Sequence, residues 1–192
     1  MPIPFVPYQK EYQEQIKILA ALLQGELHPL EDVALQAPSP FPRLTGTFRQ
    51  RGVEIRVIQE VTRAGSGPLS TDKYLLVSTR CSCTLAMKIG PKSWLRKLGR
   101  LIWWRHISTG NKSLDSSYDI TSPERLRSQR FLSHKKIQNL LLQLGPFHTL
   151  QLAERRLCLR YLITSHQVFM ARILAGHLQR LDRLARLCEN LT

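Results

Sequence analysis

The side chains that could do chemistry in this sequence are two aspartates, a histidine and two cysteines near its centre. Asp115 and Asp119 lie four residues apart, His106 precedes them, and Cys81 and Cys83 are separated by one residue. Carboxylates and imidazoles act as general acids and bases, and thiolates act as nucleophiles. An aspartate that follows a turn, however, usually accepts hydrogen bonds from backbone amides. We therefore predict structural roles for both aspartates, and we expect that the protein is not an enzyme.

The rest of the sequence contains none of the usual catalytic or cofactor motifs. Its six histidines are scattered singly, and it has no glycine-rich phosphate loop and no serine nucleophile elbow. Cys81, Cys83, Cys158 and Cys188 form no Cys-x-x-Cys pair and have no histidine at zinc-ligand spacing. We expect reduced, mostly buried thiols, with Cys81 and Cys83 on one face of a strand, and we expect no metal and no cofactor.

The unusual bulk property is a formal net charge of +14. Residues 1–87 contribute +1 of this charge, residues 88–136 contribute +9 and residues 137–192 contribute +4. Such an excess favours an anionic partner, which leaves nucleic acid, phospholipid headgroups, an acidic protein and a small ligand open. A solvated basic face without a dedicated partner is the alternative.

Residues 106–133 are the stretch around which the other predicted elements are arranged. Thr109, Gly110 and Asn111 have the composition of a turn, and Tyr118 lies in a short alternating strand. A helix is predicted to start at residues 122–123, where a serine precedes a proline. We predict that Gly110 has a positive φ and that the Asp115 carboxylate accepts backbone hydrogen bonds.

Alternating apolar residues predict three β-hairpins. The first spans residues 44–58, the second pairs residues 74–77 with residues 84–89, and the third spans residues 150–161 with a turn at 154–155. The predicted core residues are Phe48, Val53, Ile55, Val57, Leu75, Val77, Leu85, Ile120, Leu140, Leu152, Leu159, Leu174, Leu178 and Leu181.

Helical periodicity predicts a first helix over residues 12–25, a helix capped by Ser133 and a long amphipathic helix over residues 165–191. The fold class is therefore α+β, with antiparallel hairpins packed against helices and closed by the C-terminal helix. We predict two segments: residues 1–42, an N-terminal helix with a proline-rich linker, and residues 43–192, a single α+β domain.

Two basic segments are candidates for the partner surface. Residues 92–102 predict a short amphipathic helix, and the tryptophans and cations in and after it are typical of a membrane interface, unless its apolar side docks on the sheet. Arginines on the last helix would suit contacts with phosphate groups. The candidate residues are Trp94, Arg96, Lys97, Arg100, Trp103, Trp104, Arg105, Arg172, Arg180, Arg183 and Arg186.

The order of elements resembles that of a large, uncharacterised family of bacterial α+β domains, some soluble and some attached to membrane helices. The residues that carry the resemblance are Thr109-Gly110-Asn111, Leu114-Asp115, Tyr118-Asp119-Ile120, the hairpin from Thr45-Gly46 to Val57 and the hairpin from Leu150 to Leu159. Asn111 stands where the family tends to have aspartate, Leu114 and Tyr118 stand where it has phenylalanine, and Trp103 and Trp104 stand where smaller or polar residues are commoner. The resemblance implies the fold and no activity.

These observations together predict a binding or scaffold module with a basic surface. Its partner is an unidentified protein or small ligand, and its oligomeric state is open. Peripheral membrane association through residues 94–105 and non-specific nucleic-acid binding are the alternatives. Because the sequence has no leader pattern and no long apolar window, we expect a cytoplasmic protein, with attachment to the inner face of the membrane as a variant of that expectation.

Overall fold

The computed structural model describes residues 8–29, 31–32, 37–38, 41–63, 69–92 and 107–191. The predicted amphipathic helix at residues 92–102 falls almost entirely outside these ranges. The candidate residues that lie outside the described residues are Trp94, Arg96, Lys97, Arg100, Trp103, Trp104, Arg105 and His106.

The described elements come mostly in runs of strands and runs of helices, which is the pattern of the α+β class and confirms the predicted class. In chain order they are α1 Gln9–Leu22, β1 Glu26–His28, β2 Glu31–Asp32, β3 Ala37–Pro38, β4 Arg43–Phe48, β5 Arg51–Arg63, β6 Leu69–Arg80, β7 Met87–Pro91, α2 Lys112–Ser117, β8 Tyr118–Thr121, α3 Arg125–Ser133, α4 Lys135–Gln143, β9 Thr149–Ala153, β10 Arg156–Leu162, a 3₁₀ turn His166–Phe169, and α5 Ala171–Leu191.

Eight strands form an antiparallel sheet in the order β1-β4-β5-β6-β10-β9-β7-β8, and β2 pairs with β3. The predicted second hairpin is therefore wrong, because β6 lies between β5 and β10, whereas β7 lies between β9 and β8. Residues 81–86 belong to no strand, so Cys81 and Cys83 do not share a strand face either. Alternation identifies a strand, but consecutive strands are neighbours only about two-thirds of the time.

The first and third hairpins are confirmed. Strands β4 and β5 pair with Gly46 opposite Val53, and β9 and β10 pair with Leu152 opposite Leu157. Each hairpin turns through two residues of positive φ, which are 50° and 70° at residues 49–50 and 52° and 57° at residues 154–155. Positive φ at both central residues is the geometry that matches the right-handed twist of paired strands.

The chain divides into two compact units, and the first comprises residues 1–77 and 162–178. At its centre Tyr12 of α1 packs edge-on against Phe41 and Phe169, with both ring centroids 5.2 Å away. The Tyr12 hydroxyl donates a hydrogen bond to the carbonyl of Pro42 at 2.7 Å, and burial raises the pKa of this tyrosine. This aromatic cluster anchors helix α1 and the end of the proline-rich segment.

Two glycines allow the end of α1 to lie against strand β4. A Cβ added at Gly25 would be 2.5 Å from the carbonyl oxygen of Thr45, and one added at Gly46 would be 3.0 Å from that of Leu23. The Thr47 N–H donates to the same Leu23 carbonyl at 3.1 Å. Only a residue without a side chain fits between backbones this close.

The second unit comprises residues 78–161 and 179–192. Its core consists of buried apolar residues from strands β7 to β10, from helices α2 to α5 and from the segments that connect these elements. They are Cys81, Cys83, Leu85, Met87, Ile89, Ile107, Leu114, Ile120, Phe131, Leu132, Ile137, Leu140, Leu141, Leu144, Phe147, Leu150, Leu152, Leu157, Leu159, Tyr161, Leu181, Leu184, Ala185 and Cys188.

Two helix starts differ from the prediction. Helix α3 begins at Arg125, and Ser122 lies before it: its hydroxyl donates to the carbonyl of Ala86 at 2.6 Å and accepts from the hydroxyl of Ser128 and the N–H of Glu124. Ser133 ends α3 instead of capping the next helix, and its hydroxyl donates back to the Arg130 carbonyl at 2.7 Å.

The predicted core residues are buried except Phe48, which is half-buried. Met170, just before α5, and Ile173, in its first turn, are 42% and 39% exposed and so lie outside the buried stripe of the helix. The stripe starts at Leu174 and continues through Leu178.

We predict that Leu178→Ala lowers the free energy of unfolding by about 2 to 5 kcal/mol, because Leu178 is 1% exposed and its truncation would leave a cavity. The measurement is urea denaturation followed by circular dichroism. Ile173→Ala on the same helix is the matched control, and it should cost much less because Ile173 is 39% exposed. An unchanged midpoint for Leu178→Ala would show that α5 is not packed as described.

Candidate functional site

The central turn closes around the carboxylate of Asp115. Gly110 has a φ of 76°, and Asp115 Oδ1 accepts hydrogen bonds from the N–H and the hydroxyl of Thr109, both at 2.8 Å. Asp115 Oδ2 accepts from the hydroxyl of Ser108 at 2.7 Å and from the Gly110 N–H at 3.2 Å. The predicted positive φ and the predicted backbone hydrogen bonds are both confirmed.

The electrostatics of this carboxylate favour its charged form. Partial desolvation raises the pKa of Asp115, but the hydrogen bonds from Thr109, Ser108 and Gly110 together outweigh it and hold the pKa below its ordinary value of 3.8. An aspartate that is ionised and fully engaged with its own turn is a poor general acid or base at neutral pH.

A short helix that the sequence did not predict follows this turn. The Asn111 side-chain oxygen caps α2 by accepting from the N–H groups of Ser113 and Leu114 at 3.0 and 3.3 Å. The side chain of Gln138 on α4 then fastens the turn, because its Nε2 donates to the carbonyls of Thr109 and Leu132, both at 2.9 Å. Sequence reasoning missed Gln138, since a single polar residue on an amphipathic helix gives no signal of its partner.

Tyr118, the last residue of the predicted motif, supports the end of α4. Its ring stacks on Phe147 with centroids 4.5 Å apart, and its hydroxyl donates to the Gly145 carbonyl at 3.3 Å. The Tyr161 hydroxyl donates to the neighbouring Leu144 carbonyl at 3.1 Å. Both tyrosines therefore satisfy carbonyls at the C-terminus of the helix.

The other predicted chemical groups within the described residues are Asp119 and the cysteines. Asp119 lies in β8 opposite Gly90 of β7. Cys81, Cys83 and Cys188 are buried, as expected, whereas Cys158 is half-buried. Hydrogen bonding with Cys81 and burial raise the pKa of Cys188, which keeps it a neutral thiol and a weak nucleophile.

No three His, Cys, Asp or Glu side chains within the described ranges are grouped so that they could hold a metal ion.

The four arginines predicted on the last helix occupy different environments. Arg172 is exposed in the first turn of α5, in the first unit. Arg180 is half-buried near Tyr161, where burial raises the pKa of Tyr161 and the Arg180 charge partly offsets that rise. Arg183 and Arg186 are brought together at a groove.

The groove lies between α4 and α5 within the second unit, is largely open to solvent and has a volume of about 430 Å³. Its residues follow one helical stripe on α4 and another on α5, at spacings of three and four. The lining residues are Lys136, Asn139, Leu140, Gln143, Arg183, Arg186 and Leu187.

The groove carries an excess of positive charge. Lys136 and Arg183 make no hydrogen bond or ion pair with any other part of the chain that the structure describes. Arg186 is held by Asp182, whose side chain is 2% exposed, through bonds from Nε to the two carboxylate oxygens at 3.2 and 3.3 Å. Three cations thus meet one carboxylate, and the terminal nitrogens of Arg186 are left for other acceptors.

The comparisons with known proteins give a fold and no family. No family model matches the sequence, and no curated protein matches it. A solved structure, the crystal structure of the mycobacterial trehalose monomycolate transport factor A, TtfA, is similar with a TM-score of 0.55 and 10% identity, over 95% of this chain and 94% of that chain. At this identity the similarity shows a shared fold alone.

The helices that the structure describes include none with the length and apolar character needed to cross a membrane.

We predict that Asp115→Asn lowers the free energy of unfolding by about 1 kcal/mol at neutral pH, which is less than the roughly 1.5 to 3 kcal/mol of hydrogen bonds to a charged group, because the carboxylate is partly exposed. The lowered pKa means that this contribution is complete above the ordinary value of 3.8 and is lost as pH falls through the folded-state value. Urea denaturation of both proteins at a series of pH values is the measurement.

Ser117→Ala is the control for this prediction, since Ser117 ends the same short helix with an exposed side chain. It should match the original protein at every pH. A stability difference for Asp115→Asn that persisted unchanged in strong acid would contradict the assigned role of the charge.

Proposed function

We propose that the protein is a non-enzymatic binding module whose basic surface holds an anionic partner. The observation that carries this proposal is the groove between α4 and α5, which Lys136 and Arg183 line from the two helices without an acidic partner among the described residues. A partner that covers an unpaired charged side chain removes it from water, which costs free energy. A partner group of opposite charge offsets this cost.

The distribution of charge between the units supports the same proposal. The described residues of the second unit include fifteen Lys and Arg and six Asp and Glu, whereas those of the first unit include nine and eight. The basic excess is therefore a property of one unit. Evenly spread charge would serve solubility equally well. The clustering of basic residues in the second unit therefore favours a binding role.

The basic surface extends from the groove onto α3 and the start of α4. Arg125, Arg130 and Lys135 have exposed side chains there, and Leu126, which is 74% exposed, lies between the two arginines. Arg127, in contrast, is neutralised by Glu124 at 2.9 Å. We call Arg125, Arg130, Lys135 and Lys136 the α3–α4 basic face.

The partner that suits this surface best is an acidic protein or a small anionic ligand. A fold shared with a protein named as a transport factor supports an accessory role rather than a catalytic one. Peripheral binding to an anionic membrane is the second candidate, because an exposed leucine flanked by arginines can insert at the headgroup level. Both roles would suit a cytoplasmic protein.

The test measures binding of the purified protein to three probes: phosphatidylglycerol-containing vesicles, mixed-sequence DNA duplex and polyglutamate. We expect single charge reversals to weaken vesicle and polyglutamate binding about fivefold each, because one basic residue at an anionic surface contributes roughly 1 kcal/mol. The variants are Arg125→Glu, Arg130→Glu and Lys135→Glu. Lys17→Glu, at an exposed position of α1 in the first unit, is the control and should have no such effect.

Salt dependence separates the candidate partners. We expect duplex binding to be weak and to disappear between about 50 and 200 mM salt, because counterion release dominates non-specific binding. Vesicle binding that survived this salt and required Leu126 would favour the membrane role. Equal binding by the charge-reversed proteins and the original would contradict the proposed use of the α3–α4 basic face.

A further inference from the structure

We propose that the groove between α4 and α5 is a binding site for a single-chain anionic amphiphile, a ligand with a phosphate or carboxylate head and an apolar chain. This inference rests on the proposed function, because it assigns a small ligand to one place on the basic surface. It concerns a cavity within the second unit that the α3–α4 basic face adjoins through Lys136.

The floor of the groove is apolar. Leu140 of α4 is 8% exposed and Leu187 of α5 is half-buried, and both line the cavity. The methylene stems of the surrounding lysine and arginines extend this apolar surface, since long cationic side chains keep only their tips in water. A bare inorganic anion would leave that floor uncovered, whereas an alkyl chain would remove it from water.

The walls of the groove are cationic on both sides. Lys136 projects from α4, and Arg183 and Arg186 project from α5. After the carboxylate of Asp182 is counted, two positive charges remain, which matches a phosphate monoester. Guanidinium groups bind phosphate and carboxylate in a bidentate manner, and their hydrogen bonds to such ions are about twice as strong as neutral ones.

Arg186 is oriented before any ligand arrives. The buried carboxylate of Asp182 accepts hydrogen bonds from its Nε at 3.2 and 3.3 Å, which restrains the guanidinium and leaves its terminal nitrogens for a ligand. Holding a side chain in its binding conformation reduces the entropy lost on association. We therefore regard Asp182 as a positioning residue for this site.

The size of the groove favours a small molecule over a polymer. Its volume of about 430 Å³ lies in the range of small-molecule sites, which is about 300 to 1,000 Å³. A partner helix would need a longer row of apolar anchor pockets, and only two leucines are present. The amides of Asn139 and Gln143 add polar contacts at the rim for head-group oxygens.

The test is isothermal titration calorimetry of the full chain with four probes. Dodecyl phosphate and dodecanoate, kept below their micelle concentrations, carry both the charge and the chain. Inorganic phosphate carries the charge alone, and dodecanol carries the chain alone. We expect both amphiphiles to bind at one site per chain, at least tenfold more tightly than either phosphate or dodecanol.

Three variants place this binding in the groove. Lys136→Gln and Arg183→Gln remove charge at nearly constant length and should each weaken dodecyl phosphate binding about tenfold, the effect of roughly 1.4 kcal/mol. Gln143→Trp puts a bulky uncharged side chain at the exposed rim and should block both amphiphiles. Arg172→Gln, at an arginine of the same helix that does not line the groove, should bind as the original protein does.

Each result distinguishes this inference from the proposed function. Phosphate binding as tight as dodecyl phosphate binding would overturn the role of the leucine floor, and dodecanol binding of equal strength would overturn the role of the cations. Loss of binding in Arg172→Gln alone would place the site elsewhere. An absence of amphiphile binding, with vesicle or polyglutamate binding intact, would overturn this inference and leave the binding module standing.

Discussion

Burial of the apolar faces of α4 and α5 is the interaction on which the second unit depends. Ile137 and Leu141 on α4, Leu144 directly after it, and Leu184 on α5 are each at most 1% exposed. Because an α-helix repeats every 3.6 residues, fixing these side chains in the core also fixes which positions remain at the rim. The cations and amides of the groove are therefore placed by hydrophobic packing, and they need no attraction to one another to stay where they are.

The same packing explains which parts of the molecule could be predicted from the sequence. The Asp115 turn was predictable because its donors lie within seven residues of the carboxylate, so local residue types determine the geometry. The groove was not predictable from the sequence, because Lys136 and Arg183 are far apart in the chain and no periodicity relates α4 to α5. The predicted pairing of residues 74–77 with 84–89 failed for the same reason: alternation reports which face of a strand is apolar, and the sheet as a whole selects the neighbour.

The fastening of the central turn by Gln138 connects these two regions. Gln138 lies on α4 next to Ile137, so the helix that buries its leucines also carries the amide that holds the Thr109 carbonyl. The turn, the short helix capped by Asn111 and the end of α4 supported by Tyr118 thus share one helix as their support. A polar network of this kind stabilises a single arrangement, because each of its buried groups loses a partner if α4 shifts.

The two confirmed hairpins have a consequence for the kinetics of folding. Their turns place arginine, glutamine and glutamate in the left-handed region, where a side chain costs roughly 1 to 2 kcal/mol per residue relative to the right-handed helical region. Such turns do little to nucleate a hairpin, so strand pairing has to wait until apolar surface from distant parts of the chain is present. Strand β10 joins β6 across a separation of more than seventy residues, which adds a long loop to close. We therefore expect the protein to fold slowly for its size. Its sheet should assemble late, and the edge strands should stay unpaired during folding.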